Sequence, residues 1–282
     1  MNKLIRAAGI QFAPHPDREK NLSRAKALAT LASDQGASIM ALPQLFSSPW
    51  FPSSIDERNL SLAEEEDGPA VSSIKELAST IKAVIIAPVF EKDKDGYFNT
   101  AFVIGADGGV IGKYRKMHVA NLPLWEEKAY FSPGNLGFPV FKAGGAIIGV
   151  QLCRDIFFPE GNRVLALKGA EIVFAPTASA FYHSRKKWDS ALSAAAHANG
   201  LFIFRVNRIG AEGRQEFYGR SFCVNPEGEF IAGPSGSSEG VVMADIDLTE
   251  VHSSRSEWAF LKDRRPDEYA RISKDTASED AK

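Results

Sequence analysis

The chain is poor in cysteine, with only Cys153 and Cys223 among 282 residues. So few thiols exclude a disulfide framework, and a reducing, cytoplasmic setting is the expectation. An excess of charge is missing too: 33 basic and 35 acidic residues leave a formal net charge of -2. That balance offers no footprint for nucleic acid or an anionic membrane surface. No window approaches the uncharged length of a membrane span. The opening Met1-Asn2-Lys3-Leu4-Ile5-Arg6 runs straight into a strand-like segment and lacks the apolar stretch of a secretory signal. There is no paired-Cys metal spacing, no P-loop and no Gly-x-Ser-x-Gly elbow. The histidines His15, His118, His183, His197 and His252 fall in no Cys–His protease pattern, and each reads best as a surface or packing residue.

What is present is an ordinary soluble composition, 44% apolar and 24% charged, in a chain long enough for a large core. Strand-like and helix-like segments alternate. Strands are read at Ile5–Phe12, Ala37–Leu42, Ala83–Phe90, Glu171–Ala175 and Leu201–Val206, and helices at Asn21–Gln35, Ser72–Lys82, Pro159–Lys168 and Lys186–Asn199. Asn99–Ile104 and Val110–Tyr114 read as a hairpin about Asp107-Gly108-Gly109. Two further strand pairs are expected near Phe222 and Val241. Neither repeats nor a linker interrupt the pattern, which points to one α/β domain with mixed sheets over residues 1–271. Residues 272–282 read as a polar, frayed tail.

Cys153 closes the apolar run Ala146-Ile147-Ile148-Gly149-Val150-Gln151-Leu152, and Pro159 suits the first turn of a following helix. The thiol thus stands at a strand end, where open α/β sheets gather their chemistry. A lone Cys on an apolar strand is otherwise a small core residue. To act as a nucleophile it needs a base or a cation nearby. Lys116, in Gly112-Lys113-Tyr114-Arg115-Lys116-Met117-His118, is a candidate cation, although such a run can also be a solvated basic edge. Glu126, Glu127 and Asp155 are candidate carboxylates.

Several segments, in this order, resemble the nitrilase superfamily of carbon–nitrogen hydrolases. They are Tyr114–His118, Glu127–Gly134, Gly149–Asp155 with Phe158-Pro159-Glu160, Leu167–Ile172, Asn207–Gly210, Phe217–Gly219 and Asp263–Pro266. The resemblance implies a four-layer αββα sandwich that assembles as a homodimer or larger homo-oligomer. It implies Cys153 as nucleophile, Lys116 as triad lysine and Glu127 as a second glutamate, with no metal or organic cofactor. The triad glutamate belongs in a Leu-Pro-Glu-Leu segment, but this chain reads Leu42-Pro43-Gln44-Leu45. Gln44 is close in shape to the expected base and cannot take a proton at neutral pH. Either an ordinary enzyme has been blocked by engineering, or the glutamine is natural and the chain is degenerate or relies on Glu127. The intact Cys153, Lys116 and Glu127 favour the first.

The chain looks most like the branch that hydrolyses N-carbamoylputrescine and related N-carbamoyl amines, so a small carbamoyl amine or amide is the implied substrate. The alternatives are an aliphatic or ω-amidase, or a non-catalytic binding or assembly subunit. Arg154, Phe157, Trp125 and Trp50 are candidate pocket residues, with Phe46, Phe51 and Phe158 as further aromatics. Ile156 and Phe157 stand where enzymes for carbamoyl amino acids carry paired arginines, which ranks a carboxylate-bearing substrate lower. The shortened segment Ser179–His183 counts against diamine recognition.

Overall fold

The computed structural model describes residues 4–274. Two six-stranded mixed sheets face each other, with helices on both outer sides. The first sheet is built on β1 (Leu4–Gln11), β2 (Ile39–Ala41) and β3 (Val84–Asp93), all parallel. β4 (Gly96–Ile104) and β5 (Val110–Arg115) continue it antiparallel. The second sheet is centred on parallel β7 (Ala146–Val150), β8 (Ile172–Thr177) and β9 (Phe202–Asn207). β6 (Val140–Ala143) forms one edge; β12 (Phe222–Val224) and β13 (Phe230–Ala232) form the other. A separate hairpin joins β10 (Ile209–Glu212) to β11 (Gln215–Tyr218).

The parallel strands are largely apolar because most of both faces is buried. Ile5, Ala7, Ile39, Ala41, Val84 and Ile86 point between the sheets, where they meet Ile148, Ile172, Phe174 and Phe204. The alternate residues Ala8, Ile10, Met40, Ile85 and Ala87 point outward to α1 (Arg18–Asp34) and α2 (Pro69–Ile81). On the far side Val173, Ala175 and Ile203 pack under α3 (Pro159–Leu167) and α4 (Arg185–Asn199). Period-2 strands between period-3.6 helices therefore generate the expected four layers. Each helix supplies a narrow apolar stripe, as Leu22, Ala25, Ala29 and Ala32 do in α1. Asp17 caps α1 by accepting from the Glu19 amide.

Three features differ from the sequence reading. The strand near Val241, β14 (Gly240–Asp247), joins no local pair; it returns across the whole chain to lie antiparallel to β1. Period-2 patterning marks a strand but carries nothing about a partner so distant. The hairpin from β3 to β4, edge strand β6 and helix α5 (Thr249–Glu257) were not anticipated. β3 and β4 each carry a strand pattern, but patterning does not name the partner; β6 has only four residues, and α5 has only Val251 and Ser254 buried. Finally, Ala270–Ser273 forms a 3-10 turn, so regular structure continues past the expected boundary at residue 271. Residues 275–282 of the expected tail lie outside the described residues.

One glycine couples this frame to the cavity it surrounds. Gly134 donates its amide to the Lys116 carbonyl at 2.8 Å, and a Cβ there would overlap the Arg115 carbonyl. Gly134→Ala should cost about 1–3 kcal/mol by overpacking against backbone. Urea unfolding would show this as a lowered midpoint, whereas an unchanged midpoint would mean that the strand end yields freely.

Candidate active site

β7 ends at Val150, and the chain turns sharply at Cys153. Cys153 has φ +51°, in the left-handed region that a non-glycine residue rarely adopts. Such strain persists only where the surroundings fix it, and it clusters at functional sites. Here the fixing group is Asp155, which is wholly buried. Its Oδ2 accepts from the Tyr114 hydroxyl at 2.7 Å and from the Leu152 amide at 3.1 Å. Its Oδ1 accepts from the His118 amide at 2.8 Å, with His118 Nδ1 also at 2.8 Å. One carboxylate thereby ties the cysteine turn to the residues that follow β5. The His118 ring lies flat on Phe158, centroids 3.5 Å apart. Asp155 is thus an architectural carboxylate, and the histidine serves packing as the sequence suggested.

Lys116 leaves the end of β5 and is buried. The preceding Arg115 is anchored to Glu91 at 2.8 and 3.0 Å, so the register at Lys116 is fixed. Lys116 Nζ lies 2.6 Å from both carboxylate oxygens of Glu127. Glu127 also accepts from the Ala120 amide at 2.9 Å and from Gln44 Nε2 at 3.1 Å. Gln44 is completely buried, and among the described residues its Oε1 has no partner. Arg208 secures the loop that carries Gln44 by donating to the Ser48 carbonyl at 3.1 Å and to Glu212 at 2.7 Å. Three of the four residues singled out for chemistry thus touch in one buried chain of contacts, Gln44–Glu127–Lys116. Cys153 shares a cavity with Lys116.

The charges decide what this cluster can do. Burial alone would push the Lys116 ammonium down; the attraction of Glu127, then of Cys153 and Asp155, outweighs it and the net shift is upward. Lys116 therefore stays charged. Burial pushes the Cys153 thiol up, and Lys116 offsets only part of that. Behind the cavity, the buried Arg205 guanidinium stacks 4.8 Å from Trp188 and donates to the carbonyls of Gly219 and Arg220. It adds a second, weaker pull toward thiolate. The result is a protonated thiol beside a permanent cation, in a place where a negative oxygen would be welcome.

The cavity holds about 230 Å³ and is lined by Cys153 and Lys116 together with Trp125, Arg154, Phe157, Phe181, Lys187 and Trp188. Trp125 is pinned by its indole N–H to the Ala178 carbonyl at 3.2 Å and meets Phe181 at 4.3 Å. Phe157 meets Trp188 edge-on at 4.5 Å. Trp50, expected to line the pocket, does not. Its indole donates to the Leu124 carbonyl, and its ring packs behind Trp125 against Phe217. Phe46 lies in the core under α1 and α2, and Phe51 in the aromatic cluster with Phe90 and Tyr130. Sequence reasoning missed Lys187 and Phe181 as pocket residues, since α4 reaches the cavity only through the tertiary fold. Among the described residues, no group of three His, Cys, Asp or Glu side chains could hold a metal ion.

A buried cysteine on a strained turn thus shares a cavity with the lysine of a lysine–glutamate pair, within a double-sheet sandwich. Residues 6–256 match the carbon-nitrogen hydrolase family model, and the chain belongs to that family. It is 36% identical to the N-carbamoylputrescine amidase of Solanum lycopersicum, over 95% of this chain and 94% of that protein. The crystal structure of a carbon-nitrogen hydrolase from Helicobacter pylori G27 superposes with a TM-score of 0.91 at 33% identity, covering 96% of this chain and 99% of that one. A Glu-to-Gln mutant of the amidase from Nesterenkonia sp. AN1 superposes with a TM-score of 0.81 at 28% identity, covering 93% of this chain and 94% of that one. That mutant shows covalent addition of the acetamide moiety of fluoroacetamide at its active site cysteine.

Two outcomes test this geometry. Glu127→Gln leaves Lys116 a buried cation without its counter-charge, and should cost about 3–5 kcal/mol of stability, read as a fall in Tm. A fall no larger than that of a surface control would mean that water reaches Lys116. Because burial raises the Cys153 thiol above its ordinary 9.0, the thiolate fraction grows with pH and iodoacetamide labelling should still be accelerating at pH 9. A rate that levels off near neutrality would show a thiolate already formed. Cys223, buried and pushed up much further, should remain unlabelled in the folded protein.

Proposed function

We propose that the chain is built to hydrolyse the C–N bond of a small N-carbamoyl amine or amide, with Cys153 as nucleophile. The observation that carries this reading is the cavity lined by both Cys153 and Lys116, the lysine being paired with the buried Glu127. The Cys153 sulfur attacks the substrate carbonyl. Lys116 Nζ and the Arg154 backbone N–H stabilise the oxyanion, each such donor contributing about 2.7–4 kcal/mol in a water-poor site. As the tetrahedral intermediate collapses, the C–N bond breaks, ammonia leaves with the proton that the thiol gave up, and an acyl or carbamoyl thioester remains. Water then attacks the thioester to release the acid and the free thiol.

Proton traffic is where Gln44 matters. An amide has no proton-accepting role at neutral pH. Glu127 is a poor replacement, since Lys116, the Ala120 amide and Gln44 itself already occupy its oxygens. We therefore read this chain as competent to bind and slow to turn over. The glutamine-bearing amidase mutant that keeps an adduct on its cysteine supports the compatibility of glutamine with thiol attack in this family. A glutamate at position 44 would stand next to Glu127, and one of two adjacent carboxylates has its pKa raised, as suits a base. An ω-amide or simple aliphatic amide fits the same chemistry, favoured by the amidase relative. Homo-oligomerisation belongs to the same reading, supported by the exposed Trp258, Phe260 and Ile272 near the end of the described chain.

Gln44→Glu should raise ammonia release from a panel of carbamoyl amines and amides by about 10²–10⁴-fold. Adding Cys153→Ala to it should abolish that release. A Gln44→Glu protein that binds the panel without releasing ammonia would make the chain a binding module; turnover that survives Cys153→Ala would remove the thiol from the mechanism.

A further inference from the structure

The cavity around Cys153 is one-sided in charge. Its lining includes Lys116, Arg154 and Lys187, and among the described residues neither an aspartate nor a glutamate lines it. Lys116 is neutralised by Glu127. The other two are different: no ion pair among those of the described residues involves Arg154 or Lys187. They come from separate elements, Arg154 from the turn that carries the nucleophile and Lys187 from the first turn of α4.

The start of α4 sharpens the point. Arg185, Lys186 and Lys187 occupy its first positions, its first turn has no acidic residue, and no side chain caps it. Cations at the positive end of a helix dipole are unfavourable, and an anion there is stabilised. The rest of the lining, Trp125, Phe157, Phe181 and Trp188, is aromatic. A cavity of about 230 Å³ suits a small substrate.

Resting on the hydrolase reading above, we infer that the end of the substrate away from the scissile bond carries a carboxylate, held by Arg154 and Lys187. The substrate class is then a short N-carbamoyl amino acid or the ω-monoamide of a short dicarboxylic acid, and not a carbamoyl diamine. This reverses the ranking drawn from Ile156 and Phe157. The sequence offers no basic pair after the cysteine turn, but the fold brings Lys187 to the cavity from a distant helix. An ammonium-ended substrate would instead meet two unpaired cations with no acid to answer it.

The test is calorimetric binding to this chain as it stands, at low and high salt. Two matched series serve as probes: succinamate, butyramide and 4-aminobutyramide; and N-carbamoyl-β-alanine beside N-carbamoyl-1,3-diaminopropane. Within each series the carboxylate should bind about tenfold or more tighter than the amine, the scale of a hydrogen bond to a charged group. Because Lys187 is exposed, that preference should shrink as salt rises. Lys187→Met and Arg154→Met should each weaken the carboxylate probes by a larger factor than they weaken butyramide. The two series also separate carbamoyl amino acids from ω-amides by which carboxylate binds better. Equal or tighter binding of the amines, or carboxylate affinity indifferent to both substitutions, overturns the inference and leaves the hydrolase reading intact. If no probe of any charge protects Cys153 from alkylation, the hydrolase reading falls, and the inference with it.

Discussion

Lys116 is an almost wholly buried ammonium, and the architecture around it is arranged to keep it charged. Burying such an ion costs several kcal/mol unless a counter-charge and further hydrogen bonds meet it. Glu127 supplies the charge with both oxygens at 2.6 Å, and the Ala120 amide and Gln44 hold the carboxylate in place. Removing either member leaves the other stranded. The pair is therefore a weak source of net stability and a strong constraint on geometry. The strand that presents Lys116, the loop that presents Gln44 and the short 3-10 turn that presents Glu127 have little freedom to move apart.

Asp155 plays the matching part for Cys153. A cysteine at φ +51° would relax if its turn were free. Four contacts to one buried carboxylate, from Tyr114, Leu152 and His118, hold it instead. Because Tyr114 and His118 flank Lys116 in sequence, the same carboxylate sets the distance between cation and thiol. Two polar clusters, one around Glu127 and one around Asp155, thus meet at Lys116. Each is costly if half satisfied and rigid when complete.

Gln44 fits this arrangement without distorting it. Its amide N–H₂ donates to Glu127 where a carboxylate could only repel it, and the site reaches electrical balance with Lys116 and Glu127 alone. The same fit leaves Gln44 Oε1 buried without a partner among the described residues.

The sequence by itself determined one α/β domain of alternating strands and helices, and the family resemblance implied its four layers. The apolar run into Cys153, the helix-starting Pro159 and the alternation of strand and helix patterns are local signals, and local signals survive without a fold. The family resemblance placed Lys116, Glu127 and Gln44 by motif. Which residues share the cavity was settled only by tertiary structure. Trp50 and Trp125 look alike along the chain, yet one lines the pocket and the other supports it from behind, because burial distinguishes them only in three dimensions. Lys187 reads as a solvated helix residue until α4 packs beside the cysteine turn. The partner of β14 is β1, at the opposite end of the chain, since hydrogen bonding between strands depends on proximity that sequence patterning does not encode.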